Sequence, residues 1–310
     1  LYELTQEADP EFLGGGSGQG RWLRTKEFTY LGAAVQNNGF NRGLEALLRE
    51  AARVRRHGFT ATELARQKTQ KLRSMEQMAR EYDKTESARF ASEYVRHVLE
   101  GEPIPGIARE LELHQELLPT ISLEDINALA RQAVRIDNRV ITISAPEADQ
   151  IIVPDETELL TAFDVVNTME IEPYVDAAAD RPLLPNEPVA GTVVARNSIP
   201  ELGVTRWTLS NGVQVTLKPT DFKNDQILFS SYSLGGHSLV DDADYMAANT
   251  ATSSVTQGGI GNFDQIELGK WLAGKVVSVS PYISQLDEGV SGSASPEDVE
   301  TMFQLIYAYV

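Results

Sequence analysis

The sequence has no cysteine. That excludes a disulfide framework, thiolate chemistry and any cysteine-ligated metal centre, and it fits a cytosolic or a periplasmic protein equally well. Aromatic residues make up 7% and histidine occurs four times, at positions 57, 97, 114 and 237, so histidine-rich metal sites are also scarce. No run of about 18 apolar residues is present, which leaves no candidate for a helix spanning a membrane. No secretory signal opens the chain. Basic residues are few in the second half. Residues 1–147 carry 20 Lys and Arg against 22 Asp and Glu, while residues 148–310 carry 7 against 23. The formal net charge of −18 argues against nucleic acid or anionic lipid as partner.

What is present is enough for sizeable cores: 310 residues, 42% hydrophobic, with two domains as the prior from length. Near the N-terminus a glycine-rich stretch, GGGSGQG at 14–20, precedes the strand-like RWLRTKEFTYLGAAV. A phosphate-cradling loop needs a strand before it, a helix after it and a following Lys-Ser/Thr. None of these is here, so the glycines read as a flexible loop or an irregular strand pair. Asn41–Gly58 reads as a helix with an apolar stripe from Leu44 to Val54 and Gly58 as C-cap. Arg53, Arg55, Arg56 and His57 crowd its C-terminal end, where the helix dipole alone favours cations. Thr60 and Glu63 form a capping box. The helical pattern then continues to Gly101, as one helix or as two broken near Tyr82–Thr85. Glu81, Asp83, Glu86, Glu93 and His97 invite a metal reading, but only Glu93 and His97 share a helix face by spacing, and an ion pair is the simpler account.

Pro103 and Pro105 end that pattern. Helices follow at Ile107–Leu118, with His114 expected on its exposed side, and at Ser122–Val134, capped by Ser122 with Asp125. Asn138–Ser144 reads as a closing strand. Seven of the 14 prolines fall between residues 146 and 204, which reads as a stiff extended linker with room for one short helix in Asp155–Met169. Beyond it, Asn211-Gly212 is a two-residue hairpin signal of type I′, Val213, Val215 and Leu217 alternate as in a half-buried strand, and Ile227–Leu234 is a further strand. Asp241–Asp244 supply an acidic start for a helix over Met246–Gly259. A short helix at Phe263–Leu272, strands at Lys275–Ser280 and Gly289–Ala294, and a helix opened by Ser295-Pro296-Glu297-Asp298 complete the pattern. His237 sits in the loop after Gly235-Gly236.

The string EYDKTESARFASEYVRHVLEGEPIPG, the Asn211-Gly212 hairpin and the order strand, Gly-Gly, helix together resemble the pitrilysin/insulinase family of zinc metallopeptidases. The resemblance covers nearly the whole chain. It implies an α+β fold of two similar domains, each an antiparallel-rich sheet against helices. Their expected bounds are 1–147, a linker over 148–204, and 205–310, cut from a longer protein so that the first domain lacks its start and the second its end. The family carries an inverted H-x-x-E-H motif, two zinc-ligating histidines on one helix face with a glutamate base between them. Laid on this chain, the three positions are Asn249, Thr252 and Ser253. Neither Asn nor Ser is a good zinc ligand, and Thr cannot serve as a carboxylate base. The resemblance thus implies no catalytic, cofactor-binding or metal-binding residue in this segment, with zinc bound elsewhere in the parent protein. It further implies a peptide substrate, contacts with the remaining domains of the same polypeptide, and a periplasmic rather than cytoplasmic location. A relative that has lost proteolysis and serves as a scaffold is the alternative.

Overall fold

The computed structural model describes residues 1–22, 26–133, 138–177 and 181–310. Residues 23–25 of the expected first strand and Val134, the expected end of a helix, lie outside the described residues. In chain order the first elements are β1 (Gly14–Trp22), β2 (Lys26–Ala34), α1 (Phe40–His57), α2 (Ala61–Arg80), α3 (Ser87–Glu100), α4 (Ile107–Leu117), α5 (Leu123–Ala133) and α6 (Glu156–Thr168). There follow β3 (Val193–Ile199), β4 (Val204–Leu209), β5 (Gln214–Leu217), β6 (Ile227–Ser230), β7 (Ser233–Leu234), α7 (Tyr245–Gly258), α8 (Gln265–Trp271), β8 (Val277–Ile283), β9 (Asp287–Ala294) and α9 (Val299–Tyr309). All pairings are antiparallel, so the fold is α+β as expected.

The chain forms two compact units, each built from two stretches: Leu1–Ala65 with Pro119–Ala177, and Arg66–Leu118 with Ala178–Val310. This division does not follow the bounds 1–147, 148–204 and 205–310.

In the first unit the glycine-rich stretch is not a loop. It is the strand β1, paired with β2 in a register that sets Gly18 opposite Tyr30 and Gly20 opposite Phe28. A side chain at Gly18 would stand 2.6 Å from the Tyr30 ring, and one at Gly15 would stand 2.8 Å from Phe12. Bare backbone here lets aromatic rings lie across the strand, a pairing that compensates for glycine's poor strand propensity. Phe12 is buried with Ala46 and Leu47 of α1. The continuous strand expected over residues 21–35 is therefore the end of one strand and all of another.

α1 ends at Gly58, whose φ of +76° is a backbone conformation that glycine adopts and other residues rarely do. The basic residues at this end act on backbone. Arg56 donates to the carbonyls of Met169 (2.6 Å), Val166 (3.0 Å) and Asn167 (3.1 Å), and His57 Nε2 lies 2.7 Å from the Ile171 carbonyl. These carbonyls belong to the last turn of α6 and to the chain just beyond it, where intrahelical donors run out. Beneath them Ala52, Val166 and Ile171 form a small core. Replacing Arg56 with alanine is expected to destabilise this unit by about 1–2 kcal/mol; a thermal melt unchanged by the substitution would refute that.

Part of the stretch expected as an extended linker is folded, beginning with α6, the short helix expected within Asp155–Met169. α6 opens with a capping box of Asp155 and Glu158, packs on α1, and β3 pairs with β4. Leu183 is buried in the core of the second unit. The prolines fall between these elements rather than within them, and residues 169–177 and 181–192 form neither helix nor strand. Residues 138–144 form no strand; Val140 is exposed, and the apolar alternation there has no sheet to face.

In the second unit α2 stops at Arg80, a short 3-10 turn covers Tyr82–Lys84, and α3 begins at Ser87, so the long helical pattern is two helices. β3, β4 and β5 form one sheet. Its β4–β5 turn differs from the expected type I′. Only Gly212 has positive φ (+87°), and Leu209 donates to Val213 across a three-residue loop. That is a type I turn closed by a glycine bulge, which leaves Asn211 in ordinary backbone space and lets its side chain accept from Val213 N–H at 3.1 Å.

In the other sheet β9 is central, flanked by β8 on one side and by β6 and β7 on the other. The single strand expected over Ile227–Leu234 is broken at Ser231. There the backbone crosses over Gly289, where a Cβ would fall 2.0 Å from the Ser231 carbonyl oxygen. Leu183, Ile260, Phe263 and Leu305 form the core, with Trp271, Val277 and Val279 packed against them.

Candidate functional site

α7 is a helix over the span the sequence predicts, so Asn249 and Ser253, four residues apart, share a face. Both side chains are exposed, and Thr252 is half-buried. The helix is less packed than a composition rich in Ala, Ser and Thr suggests, because it buries no residue fully. Three of its hydroxyls are turned inward along the helix: Thr250 Oγ1 donates to the Met246 carbonyl (2.8 Å), Ser254 Oγ to Thr250 (3.2 Å) and Thr256 Oγ1 to Thr252 (3.0 Å). Back-bonding of this kind satisfies a hydroxyl and removes it from chemistry. The helix ends where Gly259 takes φ +94° and the chain turns into the Ile260–Phe263 bridge. Asp264 and Glu267 then start α8 with a capping box.

Zinc does not fit these residues. The face of α7 offers one amide and two hydroxyls where a metal site needs imidazole, thiolate or carboxylate. Among the described residues no group of three His, Cys, Asp or Glu side chains is placed to hold an ion. His237, the histidine nearest in sequence, stacks edge-on against Tyr245, with ring centroids 5.1 Å apart.

The remaining sequence candidates are not brought together as a site. Glu81 Oε1 accepts the backbone N–H groups of Asn224 (2.8 Å) and Asp225 (2.5 Å), and Asp83 accepts from the Asn224 side chain (2.6 Å). These carboxylates fasten a loop. His97 Nδ1 lies 2.7 Å from the Glu102 carbonyl, so the histidine engages the loop that follows its helix rather than forming the expected pair with Glu93. His114, expected to be exposed, is half-buried with Nδ1 2.7 Å from the Glu110 carbonyl.

The strongest electrostatic cluster was missed from sequence. Arg73 of α2 is 8% exposed, as is Asp298 at the start of α9. Arg73 Nη2 donates to Ser295 Oγ (2.8 Å) and reaches Asp298 Oδ2 (3.4 Å), and its Nη1 lies 3.2 Å from Glu297. Two helical turns later Arg80 bonds Asp225 (3.0 Å) and Glu297 (2.6 Å). Burial would raise the Asp298 carboxyl, but hydrogen bonds from Val276 N–H, Ser295 and Arg73, with the Arg73 charge, outweigh it and hold the group below its ordinary value. A cavity of about 380 Å³ beside Arg73 is lined by Gln70, Ser74, Gln77, Lys275 and Ser278 among others. It contains no carboxylate base and no activated nucleophile, and its guanidinium is already paired. The Ser-Pro-Glu-Asp start of α9 was legible; that an arginine more than two hundred positions earlier would close on it has no local signal.

No family model matches the chain. It is 32% identical over 216 residues to a protein from Arabidopsis thaliana named zinc protease PQQL-like, a match covering 68% of this chain and 22% of the relative. It is 20% identical over 268 residues to the probable zinc protease PqqL of Haemophilus influenzae, covering 86% of this chain and 28% of that protein. Thus it spans about a quarter of the length of the curated relatives it matches. Among solved structures, the ferredoxin protease FusC, crystallised in complex with Arabidopsis ferredoxin, superposes with a TM-score of 0.54 at 20% identity, covering 95% of this chain and 33% of that one. No helix among the described residues is long and apolar enough to cross a membrane.

Proposed function

Since the chain belongs with the PqqL-like zinc proteases of the pitrilysin/insulinase family, we propose that it is a non-catalytic part of a zinc-dependent endopeptidase, supplying chamber wall and peptide-contact surface. Under this proposal it corresponds to most of a second domain and the start of a third, and zinc and base belong to residues outside it. The observation that supports the reading is α7, a helix after a strand and a Gly-Gly pair, on which the resemblance sets Asn249, Thr252 and Ser253 at the positions of the family's chemical groups.

Two measurements test it. Metal analysis of the purified chain after dialysis against zinc is expected to find no stoichiometric ion. A bound zinc that disappears with His237→Ala or His97→Ala would overturn the reading. The triple substitution Asn249→His, Thr252→Glu, Ser253→His places two imidazoles on one exposed helix face and is expected to gain weak zinc affinity without hydrolysis, since a hydrolytic site needs three protein ligands and a bound water. Peptide cleavage by the unaltered chain would sink the assignment outright.

A further inference from the structure

The loops at one end of the β6–β9 sheet expose apolar side chains that no other part of the second unit covers. Leu234, Leu239 and Leu286 are 84%, 78% and 65% exposed. Tyr232, two positions before Leu234 and so on the same side of an extended chain, is also exposed, as is Met246 at the start of α7. Single exposed leucines are ordinary; a group gathered by backbone contacts is not. These are gathered. Gly235 N–H donates to the Leu286 carbonyl (3.0 Å), His237 N–H to Ser284 (3.0 Å) and Ser238 N–H to Gln285 (3.0 Å). Leu234 pairs with Asp287 in the ladder, and His237 meets Tyr245 edge-on. Gly236 permits the approach: its φ is +77°, and a Cβ there would lie 2.4 Å from the Ser284 carbonyl oxygen. The two loops therefore present one fixed surface.

That surface has charge of a single sign. Asp241, Asp242 and Asp244 follow Leu239 and Val240 and are exposed, and Asp287 stands opposite Leu234 in the ladder. No lysine or arginine occurs between Lys223 and Lys270, or after Lys275. An apolar patch rimmed by uncompensated carboxylates repels nucleic acid and anionic lipid and attracts a partner carrying positive charge beside apolar side chains.

We infer that the 232–246 and 284–288 loops form a docking face for a cationic polypeptide segment that carries leucine-sized apolar residues. The inference rests on the peptide-contact role given to this chain above and names the substrate class that contact favours. The apolar side chains supply affinity by leaving water, and the acidic rim supplies sign selection and speeds encounter.

The test uses the full chain and a fluorescein-labelled peptide of alternating leucine and lysine, followed by fluorescence anisotropy. Saturable binding is expected, weakened by added salt and weakened about tenfold in the Leu239→Ser/Leu286→Ser variant and in the Asp241→Asn/Asp242→Asn variant. All four positions are exposed, so both variants keep the fold, which circular dichroism checks. Three results would overturn the docking face: no saturable binding; equal binding of a leucine–glutamate or a serine–lysine peptide; or unchanged affinity in both variants. Zinc and cleavage play no part in this measurement. Its failure leaves the non-catalytic assignment of α7 standing, and stoichiometric zinc in the chain would overturn that assignment while leaving the docking face intact.

Discussion

Replacing Arg73 with methionine is expected to destabilise the second unit by about 3 kcal/mol, the scale for removing one partner of a buried ion pair. Methionine keeps most of the side-chain volume, so the loss isolates charge from packing. What remains is Asp298, 8% exposed, still accepting from Val276 N–H at 2.8 Å and Ser295 Oγ at 2.8 Å but with no cation beside it. The pH dependence follows from the direction of the Asp298 shift. Its carboxyl is held below the ordinary value in the folded chain. The stabilisation it brings is therefore complete above the ordinary carboxylate range and is lost as pH falls through the lowered value. The gap between wild type and Arg73→Met should be widest near neutral pH and narrow in acid. Adding Asp298→Asn to the Arg73→Met chain should recover part of the loss, because it removes the stranded charge. Urea titrations across pH check all three statements, and a gap that widens on acidification would contradict them.

The second large effect separates two adjacent glycines. At Gly259 φ is +94° and a Cβ would lie 2.1 Å from the Phe263 carbonyl oxygen and 2.7 Å from the Asp264 Cα. These neighbours are backbone atoms, which cannot swing away as the end of a side chain could, so Gly259→Ala is expected to cost about 3 kcal/mol. Gly258 has nothing within 4 Å of its notional Cβ and lies inside α7. Gly258→Ala should stay within about 0.5 kcal/mol of wild type. Thermal denaturation of the two variants distinguishes them. Equal melting points would mean that α7 does not end where described.

Local chemistry made much of this fold readable. The Thr60–Glu63, Ser122–Asp125 and Ser295–Asp298 starts are all present with reciprocal or direct capping bonds, because each is decided within one turn of helix. α7 was legible as well, although its N-cap Asp244 makes no side-chain capping bond. What local sequence left open, as between loop and strand pair at Gly14–Gly20, or misjudged, is decided by distant groups. The Gly14–Gly20 stretch is a strand because Phe12, Phe28 and Tyr30 occupy the space its missing side chains leave. Ile227–Leu234 breaks because Gly289, far along the chain, admits the Ser231 backbone. The Arg56 and His57 cluster has the dipole-favoured position foreseen for it, yet its partners are the carbonyls of residues 166–171.

The interleaving of the two units bears on how the chain is made. The first unit closes only when residues 119–177 return to residues 1–65. Until Val166 and Ile171 emerge from the ribosome, Ala52 has no core to enter and the end of α1 has no carbonyls to hold. Meanwhile residues 66–118 must be synthesised and set aside for a second unit whose remaining strands begin at Val193. Such long closures slow folding and prolong the exposure of apolar surface. Until residue 177 has been made neither unit can be complete, and assistance from chaperones would matter most in that interval.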